Sequence, residues 1–294
     1  MTDYEALYDL PEGVYDGRGV EGVRTATIRA GRSLEVMCHP IARLTPGQRR
    51  EARAKRTTPA MAKVNLRNTQ RHYMRLLEEN FTGEALVATL TYSYPVEDYG
   101  MCDLEELSDI YDRQGLPEDP ERVKMDVRNL LARIKRRMAS AGADPSELKW
   151  IQRIEEGKTP PVAGLPPKYH VHMVIEGKGV SRELVERLWS AGHTHVDRFD
   201  LTGDGPARLA RYLSKQRRGG RWWSHSRNLR IPAPRISDRR ISRRRLSRIA
   251  VDVQRDGRAI LEGMYPGYRL VEAEVKFSDY APGAFIYARL RRRE

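Results

Sequence analysis

Two histidines one residue apart, His170 and His172, sit in the apolar run Tyr169-His170-Val171-His172-Met173-Val174-Ile175. In an extended chain successive side chains alternate between faces, so both imidazoles project one way and Val171 and Met173 the other. A lone His-x-His is ordinarily two polar residues on a half-solvated strand. Joined by a carboxylate such as Glu155, however, two neutral imidazoles suit a divalent transition ion, or Mg²⁺ where it is abundant. Three protein ligands would leave positions open for a phosphate oxygen, as a catalytic metal requires. Tyr212 and Lys215 complete the set. A tyrosine is a poor nucleophile at neutral pH because its reference pKa is about 10. An adjacent metal and an ammonium group would favour its phenolate. Three residues apart on a helix, Tyr212 and Lys215 project from one face, so a nucleophile beside an activating group is available. Tyr-x-x-Lys is common by chance, and the weight of these residues rests on the elements around them.

Taken in order, residues 1–58 are Gly- and Asp-rich, then basic through Arg49, Arg50, Arg53, Lys55 and Arg56, and read as an extension, partly disordered or accessory, with one or two short strands at most. A helical pattern runs from Pro59 to Asn80 with Met61, Val64, Leu66, Tyr73, Leu76 and Leu77 at its apolar positions. Leu86 to Tyr92 is a strand that puts Val87, Thr89 and Thr91 on one face and Ala88, Leu90 and Tyr92 on the other. Val96 to Pro120 is an acidic surface excursion. Glu121 to Ala141 is an amphipathic helix with the stripe Val123, Val127, Leu130, Leu131, Ile134 and Met138 opposite Arg128, Arg133, Lys135, Arg136 and Arg137. Leu148 to Glu155 is a second strand, and the proline-rich 157–168 loop leads into the histidine strand, which pairs antiparallel with it. A short helix from Ser181 to Trp189, a strand from His193 to Phe199 and a helix from Gly205 to Arg218 follow. Ser237 to Val253 reads as a very basic helix whose Arg239, Arg240, Arg243, Arg244 and Arg245 are phosphate-binding candidates. Two strands, Tyr268 to Lys276 and Ala284 to Leu290, form a closing hairpin. The order β-α-β-β-α-β-α, with further elements, predicts an α+β chain with a central, mainly antiparallel sheet flanked by helices.

The three ordered pieces, Ala88-Thr89-Leu90-Thr91-Tyr92, then Tyr169-His170-Val171-His172-Met173-Val174-Ile175, then Arg211-Tyr212-Leu213-Ser214-Lys215, closely resemble the motifs of the HUH endonucleases. More narrowly, they resemble the rolling-circle replication initiators of bacterial plasmids and phages. The likeness covers roughly residues 60–232 and includes the tryptophan-rich Arg221-Trp222-Trp223-Ser224-His225-Ser226-Arg227. It implies the HUH endonuclease fold, an endonuclease domain over 59–232, and a C-terminal part, 233–294, of basic helix and hairpin packed on that core. By the same resemblance, His170 and His172 would bind Mg²⁺ or Mn²⁺, Tyr212 would attack a DNA phosphodiester, and Lys215 would assist it electrostatically. The family's acidic ligand comes from the strand before the histidines, where Glu155 fits best and Glu156 competes; the 157–168 loop lengthens the usual gap. Two-nucleophile members carry a second tyrosine four residues before the first, a position held here by Arg208. The resemblance therefore implies a single-tyrosine enzyme that nicks an origin and is left with a 5′-phosphotyrosyl DNA and a free 3′-hydroxyl. Closing the circle then requires a second protomer or a water activated by a carboxylate. The implied partners are single-stranded or hairpin origin DNA, contacted by Arg208 and Arg211 among others, and a host helicase. The implied setting is the cytoplasm of a prokaryotic cell.

Composition agrees with that partner class without naming an activity. The 294 residues carry 53 Lys and Arg against 40 Asp and Glu, a formal charge of +13 that attracts a polyanion. Apolar runs such as Ala85 to Leu90 are too short to cross a bilayer, and the acidic start lacks a secretory n-region, so no membrane role is expected. Cys38 and Cys102 have no metal or redox spacing and read as free thiols. No glycine-rich phosphate loop, nucleophile elbow or paired-cysteine zinc motif is present. Two competing readings remain: a non-catalytic basic nucleic-acid binder, and a mobilisation relaxase, whose tyrosine usually lies near the N-terminus. A second pair, His193-Thr194-His195, is a weaker metal candidate on an edge-like strand. Trp222 and Trp223 read as packing residues beside the tyrosine helix, with base stacking as the alternative.

Overall fold

A computed structural model describes residues 20–42, 58–93, 120–157, 169–214, 223–278 and 281–293. In chain order the elements are β1 (Val20–Ala30), β2 (Ser33–Ala42), α1 (Thr58–Asn80), β3 (Leu86–Thr91), α2 (Pro120–Ser140), β4 (Lys149–Glu156) and β5 (Tyr169–Glu176). There follow α3 (Arg182–Leu188), β6 (Thr194–Arg198), α4 (Gly205–Leu213), β7 (Trp223–His225), β8 (Arg235–Ser237), α5 (Arg243–Val251), α6 (Asp256–Met264), β9 (Tyr268–Ser278) and β10 (Ala281–Arg292). They build two five-stranded antiparallel sheets, ordered β8-β1-β2-β10-β9 and β6-β3-β5-β4-β7, so the chain is α+β as expected. Apart from their ends, the 96–120 excursion and the 157–168 loop lie outside the described residues, as do Lys215, Trp222 and Cys102.

The chain divides into two compact units, Asn80–Arg230 and a second made of the chain up to Glu79 with Ile231–Glu294. This differs from the expected extension, endonuclease domain and C-terminal appendage. Residues 20–42 are two long strands, and β2 pairs with β10 in the same sheet as the closing hairpin. Their partner is more than two hundred residues away in sequence, and β1 carries an irregularity between Val20 and Gly22 that interrupts its alternation. Neither feature is visible from local pattern.

In that split unit, Leu34, Val36, Ile286, Ala288 and Leu290 pack with Leu246 and Ile249 of α5 and Leu261 of α6. The opposite face of β2 and β10 is polar and meets α1. Arg75 binds Glu35 at 2.8 Å, Ser33 Oγ donates to Glu78 at 3.0 Å, and the Arg71 guanidinium lies 3.3 Å from the Tyr287 ring centroid. Cys38 is a free thiol within this core, pushed up to about 12 by burial and therefore inert at neutral pH. The basic helix is shorter than expected: Ser242 caps α5, and Arg239 and Arg240 precede it. The serine stops the helix there by accepting from Arg245 N, a local bond that competes with further helical turns.

The 80–230 unit follows the expected β-α-β-β-α-β-α order. Ala88, Leu90, Ile154, Val171, Met173 and Val196 line one face of its sheet and pack against the α2 stripe Val123, Val127, Leu130, Leu131, Ile134 and Met138, with Val185 of α3. The α2 stripe buried in the structure is the one its periodicity marks out. Beyond the end of β3 the chain at 191–193 continues the ladder, with Thr91 N donating to His193 O and Ser93 N to Ala191 O. A Cβ on Gly192 would press into the backbone of Thr91, Tyr92 and Ser93. Gly192→Ala is expected to lower stability by about 1–3 kcal/mol, since backbone cannot yield as a side-chain end can. Gly83→Ala, where a Cβ meets nothing within 4 Å, should leave the thermal midpoint unchanged in the same melting experiment.

Candidate metal centre with an adjacent tyrosine

The antiparallel register of the 80–230 sheet lines up the polar residues in two rows. Thr91, His170 and Glu155 are cross-strand partners on β3, β5 and β4, and Thr89, His172 and Arg153 form the next row. Because the alternate residues are drawn into the helix-covered core, these six side chains occupy the sheet's other face. Glu156 pairs with Tyr169 in the core-facing set, so the register selects Glu155 from the two carboxylates.

On that face the Glu155 Oε2 atom lies 3.5 Å from His170 Nε2 and 3.3 Å from His172 Nε2. One ligand atom from each residue falls within 4.8 Å of the others, a group that could hold a metal ion. The Thr89 hydroxyl stands 3.2 Å from His172 Nδ1. In the tautomer with its proton on Nδ1, the imidazole donates to Thr89 and turns the Nε2 lone pair towards the carboxylate. Two lone-pair atoms 3.3 Å apart repel unless a cation lies between them, and the donor set N, N, O fits a divalent ion of the transition series. Burial first, and the His170 charge second, push the His172 pKa down to about 4, so at neutral pH it is in the ligand-competent form. Side-chain exposure falls from 25% at His170 to 6% at His172, which makes the cluster open on one side.

Helix α4 brings the tyrosine. Gly205 starts it, at a position where a Cβ would collide with the Asp200 carbonyl, and Ala207, Ala210 and Leu213 are its buried side. Tyr212 is 43% exposed, with its hydroxyl 3.2 Å from His172 Nε2 and the two rings edge to face at 4.9 Å. The structure therefore brings together Glu155, His170, His172 and Tyr212 from three separate stretches of sequence, β4, β5 and α4. Helix α4 ends at Leu213 with Ser214 as its cap, and Lys215 lies outside the described residues.

The other candidates are placed as follows. Arg208 pairs with Asp200 at 2.8 Å, and Arg211 approaches Asp204 at 3.9 Å. Arg239, Arg240, Arg243, Arg244 and Arg245 belong to the other unit. There Arg243 donates to the Val20 carbonyl, Arg240 lies over the Tyr265 ring, and Arg244 and Arg245 are exposed. His195 pairs with Asp197 at 2.9 Å on β6, an edge strand. Thr89 and Arg153 were not singled out by their types; the signal that could have found them is alternation, which sets both on the histidine face once the strands are aligned. A cleft lined by Glu84, Glu147, Lys149, Glu176, Lys178 and Arg198 lies at the other ends of β4 and β5 and mixes both signs of charge.

No family model matches the chain, and neither a curated protein nor a solved structure matches it significantly. The geometry of the cluster has to carry the functional reading. Titration of Mn²⁺ into the protein should reveal a site lost in Glu155→Gln and in His170→Ala and retained in Glu156→Gln. Thr89→Val, which removes the acceptor that orients His172, should weaken that site by about 10- to 100-fold.

Proposed function

We propose that the chain is a metal-dependent, single-tyrosine DNA nicking and joining enzyme of the HUH type, serving to initiate rolling-circle replication. The observation that carries this reading is the Tyr212 hydroxyl at 3.2 Å from His172 Nε2, beside a carboxylate and a second imidazole. The sequence order of the three motifs, in which strand, His-x-His and Tyr-x-x-Lys follow one another, supports the narrower assignment to replication initiators.

A divalent cation, Mg²⁺ or Mn²⁺, held by His170, His172 and Glu155 would polarise the scissile phosphate and offset the charge that builds on it. Tyr212 presents its oxygen from the exposed side of the cluster and attacks phosphorus as the P–O3′ bond breaks. The phenolic proton lost is balanced by the proton gained at the 3′-hydroxyl. One phosphodiester replaces another, so the step conserves the bond and runs backwards as joining. Thr89 and the sheet hold His172 in one orientation throughout, and Lys215, by the resemblance, would stabilise the phenolate. Arg208 stands where a second tyrosine would be and is engaged by Asp200, so each protomer has one attacking group at this helix.

Incubating the protein with single-stranded DNA containing its origin and Mn²⁺ should give a covalent adduct that survives denaturing electrophoresis. Tyr212→Phe should abolish the adduct while the fold and salt-sensitive DNA binding persist. His170→Ala with His172→Ala should lower the cleavage rate by at least about 10³-fold, the order lost when a principal electrostatic group is removed. An adduct that persists in Tyr212→Phe would place the nucleophile elsewhere. Absence of any adduct with the origin strand would leave a non-catalytic binder.

A further inference from the structure

We propose that Arg153, Trp223 and His225 form a nucleotide subsite of the same sheet face, the guanidinium holding a phosphate and the paired rings stacking a base of single-stranded DNA. The proposal rests on the reading that this face receives a DNA strand, and it fixes the direction in which that strand leaves the cluster.

The face has two flanks, and their chemistry differs. Beyond β3 lies β6, where His195 and Asp197 are paired and exposed and Asp197 also draws Arg182 to 3.6 Å. An exposed carboxylate there repels a phosphate backbone. Beyond β4 lies β7, and on this side the register aligns His172, Arg153 and Trp223 in one row and Val174, Ile151 and His225 in the next. Arg153 is only 8% exposed and stands in the ladder between His172 and Trp223. A guanidinium offers five donors in a planar fork that matches phosphate oxygens two at a time. Strand spacing puts Trp223 roughly 10 Å from His172 across two strand gaps.

The aromatic pair is set before any ligand arrives. The Trp223 and His225 rings are stacked at 5.6 Å with 26° between their planes, and both remain partly exposed. His225 Nδ1 donates to the Ser226 carbonyl at 2.8 Å, which holds the ring in place. The three-residue strand that carries them is pinned to β4 by its ladder and by Gln152 Nε2 donating to Ser224 Oγ at 2.7 Å. Partly exposed rings beside a guanidinium on the face that carries the cluster are what a flexible strand needs to be held without sequence readout.

The test uses the full chain with Tyr212→Phe and EDTA, so that neither cleavage nor metal contributes, and reads the affinity for a fluorescent oligothymidylate and for an abasic oligomer of equal length. Trp223→Ala should weaken oligothymidylate binding roughly 5- to 150-fold and leave the abasic oligomer unaffected, while Trp223→Phe restores most of the loss. Arg153→Gln should reduce the slope of log affinity against log salt by about 0.7, and Arg153→Lys should restore it. Trp223→Ala that binds oligothymidylate as tightly as the parent, or that weakens both oligomers equally, would overturn the subsite. An oligouridylate bound more tightly than the oligothymidylate would overturn its assignment to DNA. These readouts are independent of the adduct experiment, so failure of the nicking reading and failure of the subsite appear separately.

Discussion

Strand β5 is hydrogen-bonded along both edges, and that double pairing is the constraint on which the site depends. With β3 on one side and β4 on the other, its register sets His172 between Thr89 and Arg153 and His170 between Thr91 and Glu155. The hydrophobic residues between them enforce this alignment. A slip of one residue would carry Val171 and Met173, now fully buried, onto the open face and drive both imidazoles into the helix-covered core. Burying two imidazoles without partners is far costlier than any gain from the shifted ladder. The same alternation that builds the core therefore fixes the position of the chemistry.

Around that alignment the donor atoms converge where a cation could be held. Glu155 and two imidazole nitrogens converge, and burial keeps His172 neutral so that a metal need not displace a proton there near pH 7. The tyrosine comes from outside the sheet, on a helix of nine residues whose small buried side chains, Ala207 and Ala210, let it lie close. The formal charge of +13 would attract a polyanion at long range, and little of it belongs to residues 80–230, whose 24 Lys and Arg stand against 22 Asp and Glu.

The split unit has a separate logic. Its sheet is covered on one face by apolar contacts from α5 and α6 and on the other by α1 through ion pairs such as Arg75 with Glu35 and the cation-π contact of Arg71 with Tyr287. A polar helix-sheet contact depends on well-placed partners more than on area, since desolvated charges stabilise only when paired. The exposed Arg244 and Arg245 of α5 lie on this unit.

Much was legible in the sequence because it was local. The α2 stripe, the alternation of β3 and β5, and the approximate bounds of β4 and of the start of α4 all follow from periodicity and turn residues, and the order of motifs singled out the residues that converge at the cluster. The sequence by itself determined which side chains share a strand face, because a period of two is a covalent property of an extended chain. It did not decide which carboxylate meets the histidines. Glu155 and Glu156 differ by one position, and only the pairing of β4 with β5, across a gap in sequence, separates them. It also left Thr89 and Arg153 unassigned, hid the sheet that joins β2 to β10, and did not show that Trp223 and His225 pair with β4. Those are long-range registers, set when distant apolar faces are buried together, and tertiary structure alone decided them.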